Sequence, residues 1–227
     1  MIDVSNSSDF QRLPFTEDPA VPGLRLRPER EAEYRSVEEL TREVFWNRYA
    51  PGCTEHYILS RLREAPGFFP WHSVVAEYDG CLIGHALLSP ADVLVDAGGV
   101  LPVLTLGPLS VLPACSRRGV GGALMRAAVR AAREHGENAL FLTGDPAYYG
   151  RFGFLPASVF GVRMGALPAP DGAPNFLALP LKEGALTGKA GRYQASPLFE
   201  AVEGKDFETY DGTFPPRQKL KLPGQLR

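Results

Sequence analysis

The segment from Leu109 to Leu124 (LSVLPACSRRGVGGAL) holds the residues with the clearest chemical use. An apolar strand runs to Pro113, a short turn carries Arg117 and Arg118, and Gly119, Val120, Gly121 and Gly122 open an alanine-rich helix. The start of a helix offers backbone N–H groups that have no partner within the helix, at the positive end of its dipole. Glycines at that point remove the Cβ atoms that would keep an anion from the backbone. The two guanidinium groups can add charge-assisted hydrogen bonds, each worth about 1.5–3 kcal/mol to a charged partner. The segment reads as a phosphate-binding turn. A nucleoside triphosphate does not suit it, because a P-loop needs Gly-Lys-Ser/Thr where Gly122 is followed by Ala123 and Leu124. A dinucleotide does not suit it either: the third glycine or alanine of that fingerprint would fall at Leu124.

Strand, proline, basic turn, Gly-x-Gly and helix together resemble motif A of the GNAT acetyltransferase superfamily, whose pattern is Gln/Arg-x-x-Gly-x-Gly/Ala. Gly119 and Gly121 stand at its glycine positions. Its leading position is Ser116 here, a departure, with Arg117 and Arg118 adjacent to supply the charge. A second register, Arg118-x-x-Gly121-x-Ala123, also satisfies the pattern, and the distance from Pro113 favours the first. Downstream, GDPAYYGRFGF over residues 144–154 resembles the end of motif B, where a tyrosine lies four residues before Gly-Phe; that residue is Tyr149. The pieces EYDG (77–80), IGHALLS (83–89) and LGPLSV (106–111) are similar to the bacterial YhbS-like branch. The resemblance covers roughly residues 24–200.

The resemblance implies an α/β fold with a mixed, mostly antiparallel sheet, splayed at the coenzyme site and flanked by helices. It implies an N-acetyltransferase that passes an acetyl or other acyl group from acetyl-CoA to a primary amine by direct attack in a ternary complex. Carried over residue by residue, the backbone of Leu109, Ser110 and Val111 pairs with the pantetheine arm, and the Val111 amide faces the thioester carbonyl as an oxyanion donor. Arg117, Arg118, Gly119, Val120, Gly121 and Gly122 hold the diphosphate. Tyr149 is the general acid, with Tyr148 as its neighbouring decoy; a phenol of pKa about 10 can protonate a departing thiolate of pKa about 8.5. No metal is implied, and the acceptor is a small-molecule or peptide amine. The rival on the same fold is a sensor that binds acyl-CoA without turning it over, which the Ser116 departure leaves open.

An alkylamine of pKa about 10.4 must lose a proton before it attacks, so a base or a water chain to one is expected. Glu77, His72, His85 and Asp145 are candidates, each with a plainer reading: an edge charge for Glu77, a core histidine for His85, a helix cap for Asp145. None is assigned. Cys115 beside the arginines could be acidic, but direct transfer leaves it a spectator.

These residues need elements to position them. Leu24–Arg27 alternates as a half-buried strand ended by Pro28; Glu31–Asn47 and Thr54–Arg63 carry helical apolar stripes, the second capped by Thr54. Ser73–Tyr78 and Cys81–Ser89 flank Asp79-Gly80, a type I′ hairpin signal. Val103–Leu112 is a strand, a helix spans Gly119–His135, and Ala139–Thr143 leads to a short helix starting at Pro146. Ser158–Arg163 and Phe176–Leu181 read as two last strands around a loop over 165–174. The expected organisation is a mobile arm over 1–22, an acetyltransferase domain over 23–200, and an extension over 201–227 with a basic tail.

Composition agrees with a globular enzyme. Hydrophobic residues make up 44% and charged residues 22%, enough for a core. A net charge of -2 gives no footing for nucleic acid. No apolar run reaches the roughly 20 residues of a membrane span, the N-terminus lacks a secretory pattern, and three scattered cysteines make neither a disulfide framework nor a zinc site. The expectation is a cytoplasmic protein, monomer or homodimer, with no membrane or nucleic-acid partner.

Overall fold

The computed structural model describes residues 16–17, 21–165, 173–199 and 202–225. Most of the arm expected over 1–22, most of the 165–174 loop and the last two residues of the tail lie outside the described residues. In chain order the strands are β1 (Thr16–Glu17), β2 (Arg25–Pro28), β3 (Ser73–Tyr78), β4 (Cys81–Val95), β5 (Val100–Val111) and β6 (Ala139–Thr143). They continue with β7 (Leu155–Pro156), β8 (Val162–Met164), β9 (Phe176–Pro180) and β10 (Gly191–Gln194). The helices are α1 (Tyr34–Phe45), α2 (Glu55–Arg63), α3 (Val120–Glu134), α4 (Pro146–Tyr149) and α5 (Lys205–Asp211). The fold is mixed α/β with a mostly antiparallel sheet, as the sequence implied. The chain divides into two compact units, one drawn from Met1–Leu87, Pro108–Ala127 and Glu200–Arg227, the other from Leu88–Gly107 and Ala128–Phe199.

In the first unit β1, β2, β3 and the start of β4 pair antiparallel in that order. Asp79 (φ 48) and Gly80 (φ 76) both take the positive φ that the tight turn between β3 and β4 requires. Val37, Leu40 and Val44 form the buried stripe of α1. Thr54 stands at the N-cap of α2 as expected, but its side chain makes no capping bond; its own N–H donates to the Glu55 carboxylate at 3.0 Å. Helix α3 lays Val120, Ala123, Leu124 and Ala127 against Leu24, Leu26, Val74, Ala76 and Ala86. Gly84 makes the close approach of that helix attainable, since a Cβ there would lie 2.9 Å from Leu124 Cδ1 and 3.0 Å from the Ser110 carbonyl oxygen.

The second unit is built on β6, which pairs parallel with β5 through Leu104 and Thr105 and antiparallel with β9. β9 also pairs with β7. β10 runs antiparallel to Asp92–Val95 of β4 and parallel to β8. Phe141 stacks on Phe176 and Tyr193 at ring separations of 5.5 and 5.1 Å in its core. One expected strand is corrected here. Ala157–Phe160 is a 3-10 turn, and only Val162–Met164 is extended. The cause is Gly161, whose φ of 70 turns the chain before β8 starts. β10 and α5 were not foreseen.

Candidate active site

The phosphate-binding turn predicted from sequence takes the following form. Strand β5 ends at Val111, the Leu112 N–H donates to the Ile83 carbonyl at 2.9 Å, and a 3-10 turn over Pro113–Cys115 redirects the chain. Arg117 (φ 61) and Gly119 (φ 85) then bend the backbone through left-handed conformations. For Arg117 that costs on the order of 1 kcal/mol, the kind of strain found where a backbone is shaped for a ligand. At Gly119 a side chain would be strained and would meet Val21 Cγ2 at 2.9 Å.

The Ala123 N–H donates to the Gly119 carbonyl at 3.0 Å. The amides of Val120, Gly121 and Gly122 therefore precede the first i→i−4 bond of the helix. Val120 buries its side chain in the apolar cluster that Leu109 and Val111 also join, so the strand end and the helix start are held by one core. Arg117 and Arg118 are exposed, as is Ser116. Cys115 is half-buried against the same cluster. Ser110 is fully buried and its hydroxyl donates to Thr41 Oγ1 of α1 at 3.3 Å.

Tyr149 belongs to the second unit, half-buried on α4. Its ring stands edge-on to Tyr148 at 4.9 Å and to Phe154 at 6.0 Å. It also covers Gly144 so closely that a Cβ there would collide with it. The Asp145 carboxylate accepts from the Ala147 N–H at 2.9 Å, so Asp145 is a helix cap and not a free base. Glu77 is no solvated edge charge: Arg27 clamps it at 2.8 and 3.0 Å and binds Glu33 as well. The His72 ring accepts from the Phe69 N–H at 3.0 Å and is buried.

His85 stands differently. It is fully buried, its Nε2 lies 2.8 Å from Ser73 Oγ, and Ser73 Oγ donates to Glu29 Oε2 at 2.6 Å. Arg63 joins Glu29 and Glu38 beneath α1 and α2, at 2.5 and 2.7 Å. Burial raises both carboxyl groups above their ordinary range, against the pull of Arg63. No motif announced this network, because its members are joined by contacts 12 to 44 residues apart in sequence.

Helices α1, α2 and α5 line a cleft of about 610 Å3 that includes Tyr34, Glu38, Tyr57, Ser60 and Tyr210. That is the size of a small-molecule site. Among the described residues no group of three or more His, Cys, Asp or Glu side chains could hold a metal ion, and no helix is long and apolar enough to cross a membrane.

The sequence model of the acetyltransferase (GNAT) family matches residues 32–154. The uncharacterized N-acetyltransferase YjhQ of Escherichia coli K12 is 33% identical over 101 residues, 44% of this chain. The chain spans about half of that relative, 55% of its length. The uncharacterized N-acetyltransferase YhbS of the same strain is 31% identical over 137 residues, 60% of this chain and 78% of that one. Among solved structures, YhbS from Escherichia coli in complex with CoA superposes with a TM-score of 0.67 at 28% identity, covering 83% of this chain and 97% of its own. A GNAT family acetyltransferase from Brucella melitensis in complex with acetyl-CoA gives 0.61 at 28% identity, covering 78% and 97%.

Proposed function

The chain belongs to the GNAT acetyltransferase family as a YhbS-like member, and on that premise we propose that it transfers an acetyl group from acetyl-CoA to a primary amine by direct attack in a ternary complex. The observation that carries this reading is the turn into α3. Three amides, those of Val120, Gly121 and Gly122, lie ahead of the first helical hydrogen bond, beside two exposed arginines. That set suits the coenzyme's diphosphate: it needs several donors and positive charge at a backbone without side chains, and it receives them here. Several such bonds make up a large share of the ~8 kcal/mol that micromolar affinity requires. The two structural neighbours that hold CoA and acetyl-CoA support the same coenzyme.

When bound, acetyl-CoA supplies an acyl group activated as a thioester. The backbone of Leu109, Ser110 and Val111 orients the pantetheine arm along the end of β5. The Val111 N–H faces the thioester carbonyl and stabilises the charge that develops on its oxygen. Tyr149 returns a proton to the departing sulfur, a task a phenol can perform without prior ionisation. The cleft between α1, α2 and α5, walled by tyrosines and by Glu38, is the surface we assign to the acceptor.

The test is Gly121→Glu. A carboxylate at that point repels the diphosphate and fills the space against the backbone. Titration calorimetry with acetyl-CoA is expected to show measurable binding by the wild-type chain and none by the variant. Affinity within a few-fold of wild type would remove the turn from coenzyme binding and the reading with it.

A further inference from the structure

The network under α1 and α2 reaches the strand that the proposed function assigns to the thioester. Leu112 N–H donates to the Ile83 carbonyl, which sets β4 and β5 antiparallel at that point and brings His85 opposite Ser110. Gly84 agrees, since its Cβ position lies 3.0 Å from the Ser110 carbonyl oxygen. Directly opposed residues share a face of the sheet, with Cβ atoms about 4.5–5.5 Å apart. Ser110 turns its hydroxyl to Thr41 on α1, and His85 turns its imidazole to Ser73 and Glu29. The two therefore look out on the α1 side, while Gly84 and Ala86 look toward α3.

The hydrogen bonds fix the tautomer of His85. The Glu29 carboxylate only accepts, so Ser73 donates to it at 2.6 Å. Ser73 must then accept at 2.8 Å from His85, which places the ring proton on Nε2. The lone pair is left on Nδ1, and among the described residues that nitrogen has no hydrogen-bond partner although it is buried. An unpaired buried acceptor is a cost to the fold that an apolar side chain would avoid. It is also the feature a proton acceptor needs.

We propose that His85 Nδ1 takes the proton that the acceptor amine must lose, with Ser73 and Glu29 as the positioning residues behind it. This rests on the transfer reading above. The ammonium N–H bond breaks and an Nδ1–H bond forms, directly or through one water. The Nε2 proton passes to Ser73 Oγ, and the Ser73 proton passes to Glu29 Oε2. The amine is left neutral with its electron pair free for the thioester carbon, and the proton ends on Glu29. Burial holds the His85 ring well below the ordinary imidazole range, and the Arg63 charge pushes the same way, so the ring is neutral at pH 7. The raised Glu29 carboxyl suits it to receive the proton. The charged groups that face the ring are Glu29 beyond β2 and Arg63 on α2.

The experiment compares two amines at pH 7 on the full chain, following release of the CoA thiol at saturating amine. Phenethylamine is almost wholly protonated and needs a base; aniline is unprotonated and does not. His85→Gln is expected to lower kcat on phenethylamine by about 100-fold or more and on aniline by no more than about threefold. Ser73→Ala, which breaks the relay but keeps the ring, is expected to lower kcat on phenethylamine about tenfold with KM little changed. Equal losses on both amines, or no loss on phenethylamine, overturn the assignment. If circular dichroism shows His85→Gln unfolded, Ser73→Ala decides alone, and a wild-type kcat on phenethylamine overturns it. Acetyl-CoA that fails to bind in calorimetry, or that binds and is passed to neither amine by the wild-type chain, defeats the transfer reading itself and this one with it.

Discussion

Tyr149, the phenol proposed as general acid, is held on three sides. Asp145 caps the turn that carries it, Gly144 lets the ring lie against the backbone, and the Phe154 ring stands beside it at a steep angle. The Tyr-x-x-x-Gly-Phe spacing thus has a physical meaning: Gly153 (φ 89), four residues after Tyr149, reverses the chain so that Phe154 returns beside the ring of the tyrosine five residues before it. Tyr149→Phe keeps these contacts and removes only the hydroxyl. Turnover is expected to fall by about 100-fold with acetyl-CoA affinity within a few-fold of wild type, measured by steady-state kinetics and calorimetry on the same preparation. Unchanged turnover at saturating substrate would take Tyr149 out of the general-acid role.

At the scale of elements, the turn into α3 depends on how closely the helix rides on β4. Gly84 sets that distance, with Leu124 Cδ1, the Ser110 carbonyl and Val120 Cγ1 all within 3.3 Å of where a side chain would begin. Gly84→Val must push the first turn of α3 away from the sheet. Overpacking of this kind costs about 1–3 kcal/mol, and here it also moves the amides of Val120–Gly122. A lower melting temperature together with about tenfold weaker acetyl-CoA binding is expected; a variant that melts and binds as wild type would show that the helix start is set by something other than this contact. The elements that carry the turn were legible because their signals are local. Asp79-Gly80 needs positive φ, Pro146 starts a helix, and glycines mark a helix start without side chains. The elements that were missed have no such signal. Ser158–Arg163 alternates like a strand until Gly161 turns it, and α5 (KDFETYD) has no capping side chain and gains its place from Tyr57 and His56 on α2. The proton relay at His85 was visible only as one histidine among four weak candidates. Its partners Ser73, Glu29 and Arg63 arrive from separate elements, and nothing in their spacing foretells that meeting.

For the first unit as a whole, the C-terminal segment is part of the structure that positions the cleft between α1, α2 and α5. Part of the stretch that read as a basic tail is docked. Arg217 pairs with Glu43 at 2.6 Å, the Gln218 carbonyl accepts from Trp46 and Asn47, and the Leu220 N–H donates to the Asn47 side chain. The anchor is Asp211 at the end of α5, which accepts from Arg42 at 3.0 Å and meets His56 Nε2 at 3.1 Å. Arg42 is 3% exposed and His56 fully buried, so Asp211 neutralises a guanidinium that water does not reach. Burial holds His56 down at about 4 in spite of the carboxylate, which leaves Arg42 as the charge that needs a partner. Cys53, 3.5 Å from His56 Nδ1, completes a Cys-His-Asp row. Burial pushes its thiol up to about 12, so the row fastens the segment and offers no thiolate. Asp211→Ala strands the Arg42 charge and frees α5, the wall of the cleft that holds Tyr210. Removing one partner of a largely buried pair is expected to cost about 2–4 kcal/mol here, at the lower side of the usual range because Asp211 keeps some contact with water. For a chain of this length that is a fall in melting temperature of roughly 5–15 °C. The turn into α3 is not touched by this change, so the variant should still bind acetyl-CoA below its melting point while turnover of the amine falls. A variant that melts as wild type would mean that the segment is held by its remaining contacts; one that melts early but turns over normally would mean that α5 does not shape the acceptor side.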